Sequence, residues 1–262
     1  MQNLLYLYKS SRAGFRANST YSAATVVKFI SSIVILTVYY FLWKAIYSGT
    51  TSIQGYCFNE LMVYILLTRI LHMLYPFGIA DAYSQLVIRG DIGLHLLKPI
   101  RMEWTMLGNF IGKNLYSCLS GGIPYTVLFF VFASPYISLS GIGVSIIFIL
   151  SAYIFIFLFE LNIGVLSIYF TSLWGVGKFA GAIIALLSGE LLPISFYPKK
   201  LSGFLDILPF SGMYYIPVNV LLGKECEWKQ ALAIICIVNV LLLVIYSCTS
   251  RILLKKLNIS GG

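Results

Sequence analysis

The chain has 262 residues, of which 59% are hydrophobic and only 10% charged, with a mean hydropathy of +0.89. Soluble domains carry about 25% charged residues, so this composition excludes a water-soluble protein. The 18 Lys and Arg against 9 Asp and Glu, a net +9, point to loops facing anionic headgroups and not to nucleic acid.

A spanning helix uses roughly 20 apolar residues, so six would leave short loops and no room for a sizeable soluble domain. Residues 1–22 read as an interfacial helix, with Leu4, Leu5, Tyr8 and Phe15 near one face and Lys9, Arg12 and Arg16 on the other. A disordered basic tail is the alternative. These residues lack the apolar core and cleavage site of a signal peptide, so insertion is expected to begin at the first span.

That span runs from about Thr25 to Tyr47, with Tyr39, Tyr40, Trp43 and Tyr47 forming an aromatic belt at its far end. A polar connection, Ser48 to Gly55, precedes the second span, about Phe58 to Gly78. Residues 81–103 form the most polar internal stretch. The third span, about Met106 to Ala133, is expected to kink at Gly121-Gly122-Ile123-Pro124, where Pro124 removes a backbone donor. A tight turn, Ser134 to Ser140, leads into a fourth run from about Gly141 to Phe170. The fifth span starts near Lys178 and reaches Pro193. Residues 194–229 are broken by Pro198, Pro209 and Pro217 yet rich in aromatics, which suits short re-entrant helices. The sixth span is about Ala231 to Cys248. With the N-terminus inside, the inner pieces hold ten basic residues, among them Arg89, Lys98, Arg101, Lys178 and Arg251. The outer ones hold Lys199, Lys200, Lys224 and Lys229, so both termini are expected in the cytoplasm.

Several chemistries find no support. Gly108…Gly112-Lys113-Asn114 and Gly175…Gly177-Lys178 lack the spacing of a phosphate-cradling loop. His72 and His95 are too far apart in sequence to suggest a metal site. The five cysteines show no paired motif, and of them Cys57 and Cys226 could meet outside.

The stretch from Ile88 to Ile100 carries the sharpest signal. Gly90 can end one helix in a left-handed conformation, and Asp91 can cap the next. Pro99 disfavours helix at Lys98, so a helix of Ile92 to Leu97 is predicted. Its Ile92, Leu94, Leu96 and Leu97 suit docking on a soluble partner. Charges at membrane depth are costly and mark functional candidates. Glu160, beside Asn162, and Glu190, between Gly189 and Pro193, are therefore candidates for a substrate path. Pairing with a lysine or snorkelling to the interface is the structural alternative for both. Arg69 and Lys113 are expected to snorkel, His72 to hydrogen-bond locally, and Asn239 to join helices. Gly108/Gly112 and Gly177/Gly181 are spaced for close helix contact.

Gly90-Asp91 through Leu96-Leu97-Lys98-Pro99 resembles the G-D-…-L-L-[RK]-P signature of ABC-2-type permeases, the membrane subunits of bacterial ABC exporters. Phe15-Arg16-Ala17-Asn18 and Leu42-Trp43-Lys44-Ala45-Ile46-Tyr47 are similar to the family's stretches before and at the end of the first span. Ser188-Gly189…Leu192-Pro193 through Tyr197-Pro198, then Leu208-Pro209-Phe210 and Ile216-Pro217, resemble its external segment. Glu160 and Glu190 depart from that pattern. The resemblance implies an all-α polytopic fold of one transmembrane domain (residues 1–262), with six transmembrane helices, an N-terminal interfacial helix, a short cytoplasmic coupling helix and external re-entrant helices. It also implies a non-catalytic permease in a bacterial cytoplasmic membrane, paired with a second permease and surrounded by membrane lipid. A separate ATPase dimer holding ATP and Mg would dock at Ile88, Arg89, Gly90, Asp91, Leu94, Leu96, Leu97, Lys98 and Pro99, and this chain would bind no cofactor itself. Cargo would be hydrophobic or amphipathic: lipid, peptide or drug-like. The alternative is a proton-coupled secondary transporter using Glu160 and Glu190, against which stand the few buried carboxylates and the lack of inverted repeats.

Overall fold

The computed structural model describes residues 2–20, 22–96, 100–132, 136–170 and 173–260. Helix α1 (Gln2–Ser19) carries the basic N-terminal segment, and α2 (Ser22–Ile46) is the first long apolar helix. A two-residue hairpin, β1 (Ser52–Ile53) and β2 (Tyr56–Cys57), turns the chain into α3 (Phe58–Leu74). The hairpin adds a minimal strand pair at the expected polar connection. Helix α3 starts on a capping box in which Glu60 accepts the N–H of Cys57 at 3.0 Å.

Residues 75–78 break the helix, and α4 (Ile79–Ile88) resumes it. Segment 81–103 is therefore less of a loop than its polarity suggests, because its first eight residues are helical. The short α5 (Ile92–Leu96) follows, then α6 (Met102–Ser120) and α7 (Ile123–Phe132), bent by 60° at the predicted Gly-Gly-Ile-Pro break. The bend leaves the Gly121 carbonyl without a helical donor, and Ser32 of α2 supplies one at 2.7 Å. Helix α8 (Ile142–Val165) is the fourth run, α9 (Trp174–Leu187) the fifth, and α12 (Trp228–Ser260) the last.

Among the described residues, four stretches are long and apolar enough to cross a membrane: Thr25–Ile46, Phe58–Ile88, Leu139–Val165 and Trp228–Arg251. The bent α6–α7 pair makes a fifth. Helix α9 ends earlier than the expected Pro193, because Gly189 takes φ +81° and turns the chain. Its 14 residues cover about 21 Å, less than the ~30 Å hydrocarbon thickness. The expected fifth span is thus a short helix.

The surface is inverted relative to a soluble protein. Val27, Ile30, Val34, Val38 and Phe41 of α2 and Ile237, Val240, Leu241 and Val244 of α12 are all exposed. In water these faces would be untenable; in hydrocarbon they cost nothing. Polar side chains work between helices instead. Asn239 Nδ2 donates to the Ser151 carbonyl at 3.0 Å and Asn162 Nδ2 to that of Leu242 at 3.1 Å, joining α12 to α8 at two levels. Asn239 is the interhelical link expected of it, and Asn162 is a second such link.

Helix α1 lies against α6. A Cβ on Gly108 would stand 1.8 Å from Ser10 Oγ, and one on Gly112 would stand 1.9 Å from the Ser11 carbonyl oxygen. The small-residue pair therefore serves α1, whereas Gly181 has open space around it. All five cysteines are free, Cys57 and Cys226 included.

Candidate functional site

The first candidate region is the α4–α5 turn. Gly90 adopts φ +76°, the left-handed conformation expected at a helix end. Arg89 donates its N–H to the Gln85 carbonyl at 3.0 Å and Gly90 donates to Val87 at 3.1 Å. The Asp91 carbonyl then accepts the His95 N–H at 3.4 Å, which opens α5. The Asp91 carboxylate makes no hydrogen bond among the described residues, so the expected side-chain cap is not formed. Ile92, expected on a docking face, is 4% exposed and packs with Ile79, Tyr83, Met106, Leu161 and Tyr246. It is buried in the same apolar cluster as residues of α4, α6, α8 and α12. Ile88, Arg89 and Gly93 are exposed beside it. Leu94 and Leu96 lie on or at the end of α5, while Leu97, Lys98 and Pro99 lie outside the described residues.

Glu160 is engaged inside the fold. Its Oε2 accepts the Ala80 N–H at 2.8 Å, and the residue is 6% exposed. Gly78, at the cap position of α4, has no side chain to offer, so a carboxylate from α8 takes the role, at the positive end of the helix dipole. Neither lysine pairing nor snorkelling describes it. Glu160→Ala should leave that buried N–H unpaired at a cost of about 1–3 kcal/mol and loosen α4 from α8. Hydrogen exchange at Ala80 to Ser84 reads the effect, and unchanged protection would refute the cap.

Glu190 lies in a different setting. Its Oε1 stands 3.5 Å from Arg69 Nη1 and 3.1 Å from His72 Nδ1, both on α3, and it is 5% exposed. Arg69 also donates from Nη2 to Tyr39 Oη at 3.1 Å, and the Tyr214 hydroxyl lies 3.2 Å from His72 Nδ1. Arg69 is about 16 Å along α3 from Phe58 at about 1.5 Å per residue, close to mid-membrane. Three expectations change as a result. Arg69 does not snorkel; His72 bonds across the fold, not locally; and Glu190 pairs with no lysine among the described residues.

The segment after α9 explains this depth. Gly189, Pro193 and Ile194 are buried, and a short 3-10 turn (Ile194–Phe196) leads to α10 (Lys199–Ile207). A second turn (Pro209–Gly212) leads to α11 (Tyr215–Leu221). Backbone freed by the prolines is satisfied by side chains, as hydrocarbon burial demands. Tyr75 donates to the Met213 carbonyl at 2.7 Å, Ser145 to that of Pro217 at 2.9 Å, and Tyr64 to that of Gly189. Tyr56 bonds Asn219. Met213, Tyr214 and Val218 are fully buried in the largest apolar cluster. The re-entrant pieces are thus a wedge against α3, α8 and α12, and Tyr197 also donates to the Leu186 carbonyl of α9 at 2.9 Å. Aromatic richness was the sequence signal for this; nothing in the sequence linked Arg69 to Glu190.

A family model for ABC-2 family transporter proteins matches residues 33–261. No curated protein matches the chain. With the apolar helices already described, the match identifies a multi-pass membrane component of an ABC transporter. The chain belongs to the ABC-2 family of transporter permeases.

Proposed function

We propose that this permease, a single transmembrane domain, exports a hydrophobic or amphipathic cargo (lipid, peptide or drug-like) from the cytoplasm or inner leaflet of a bacterial cytoplasmic membrane. Helix α9 counts as the fifth of six spans, both termini are cytoplasmic and residues 194–229 are external. A second permease, identical or related, completes the pathway. ATP and Mg sit on a cytoplasmic ATPase dimer, and this chain supplies no catalytic group. Charge supports the orientation. The end bearing α1 and α5 carries Lys9, Arg12, Arg16, Arg89, Arg101 and Arg251. At the other end Lys224 is neutralised by Glu60 at 3.1 Å.

The observation that carries the reading is the α4–Gly90–α5 turn. Arg89 is exposed and the Asp91 carboxylate has no partner among the described residues, while Ile92 is buried in an apolar cluster with residues of α4, α6, α8 and α12. A push on α5 as the ATPases close would therefore be transmitted to α4, α6, α8 and α12 together. Glu160 and Glu190, the carriers a proton-coupled transporter would need, are both engaged by internal partners. Asp91→Ala is expected to leave insertion intact and weaken ATPase association by about 10-fold or more, the worth of a charged hydrogen bond. Co-purification of the paired ATPase measures this, and normal association with normal transport would refute the role.

A further inference from the structure

A cavity of about 630 Å³ lies where α5, the start of α6, α8 and α12 meet. Its inner wall is apolar, with Phe157 and Leu161 from α8 and Leu243 from α12; its rim carries Arg101 and Arg251. Depth along the helices gives this polarity a meaning. Leu161 is about 28 Å along α8 from Ile142, and Arg251 about 34 Å along α12 from Trp228. The wall therefore lies inside the ~30 Å hydrocarbon layer and the rim at the headgroups. Trp104 on the rim is 41% exposed, as an interfacial aromatic should be.

Among the described residues neither Arg101 nor Arg251 meets a carboxylate. The acidic residue of the lining, Glu103, already accepts the Tyr246 hydroxyl at 2.7 Å. Among the described lining residues, two arginines thus stand against one engaged carboxylate. A guanidinium fork matches phosphate oxygens, but a soluble phosphate would leave the apolar wall uncovered. A phosphate carrying acyl chains fills both halves.

We propose that this cavity is a binding site for an acidic phospholipid of the adjacent leaflet, its phosphate between Arg101 and Arg251 and a chain along Phe157, Leu161 and Leu243. Ile92 and His95 of α5 line the same cavity, so the lipid bridges α5 to α12 and holds the short helix in place. The site depends on membrane embedding and not on the ATPase reading.

The test uses the full chain, delipidated in detergent and titrated with dioleoyl phosphatidylglycerol or dioleoyl phosphatidylcholine, with binding read by native mass spectrometry. Phosphatidylglycerol should bind first and roughly 30-fold more tightly, as two interfacial charges would give. The Arg101→Gln/Arg251→Gln variant should bring the two lipids to parity. Ser247→Trp fills the cavity from α12 without changing charge and should reduce phosphatidylglycerol retention. Lys9→Gln/Lys178→Gln removes equal charge away from the cavity and should retain the preference. Equal binding of both lipids to the unaltered chain would overturn the site. So would a matching loss in the lysine variant, no effect of Ser247→Trp, or displacement of the lipid by millimolar glycerol 3-phosphate, which would indicate a free-phosphate site. If the arginine variant does not remain monodisperse, Ser247→Trp decides. No ATPase takes part, so failure of the coupling reading leaves this result interpretable.

Discussion

Glu190→Gln is expected to lower stability by about 3–5 kcal/mol, because it leaves the Arg69 guanidinium buried without a counter-charge. Arg69 and Glu190 side chains are 16% and 6% exposed, and Arg69 sits near mid-membrane, where solvent cannot take over. For a chain of this size the loss corresponds to a fall on the order of 10 °C in melting temperature. Arg69→Leu should also destabilise, because the carboxylate then keeps His72, 3.1 Å away, but loses its permanent counter-charge. The Arg69→Leu/Glu190→Gln double variant should be more stable than either single change, since desolvation of both charges disappears with their attraction. Detergent thermostability of the four proteins, read by size exclusion after heating, checks this. Additive losses in the double variant would show that the two residues do not act as a pair. The arrangement also says what the wedge does: its first turn is held electrostatically to α3, while the rest is held by phenol and serine hydrogen bonds to carbonyls.

Gly112→Leu should detach α1. The added Cβ alone would meet the Ser11 carbonyl oxygen at 1.9 Å and the Phe15 nitrogen at 2.7 Å. Both are backbone atoms of a helix, so no side-chain rotation relieves the clash, and α1 must move as a unit. Gly108→Leu should behave alike, since the Leu7 carbonyl oxygen lies 2.8 Å from its Cβ position. Trypsin cleavage after Arg12 and Arg16 should then accelerate on the order of tenfold or more, as expected when a docked helix opens locally. Gly181→Leu, with nothing near its Cβ position, should leave cleavage unchanged. Equal rates in Gly112→Leu and the unaltered chain would mean that α1 does not depend on this contact.

What the sequence by itself determined follows from effects that are local along the chain. Hydropathy in runs of about 20 residues set the long helices, because each satisfies its own backbone bonds whatever its neighbours are. Gly90 and Pro124 placed the α4–α5 turn and the α6–α7 bend, because left-handed φ and a missing N–H act within one turn of helix. The prolines of 194–229 likewise announced short pieces in place of a span. Pairing was decided by the tertiary structure alone. Gly108 and Gly112 advertised close contact without naming α1 as the partner. Glu160 and Glu190 read alike as charges at membrane depth, yet one caps α4 through Ala80 and the other neutralises Arg69. A carboxylate in hydrocarbon must find a donor. Residues 80 and 160, or 69 and 190, become neighbours only when separate helices pack side by side, and hydropathy carries no record of which faces meet.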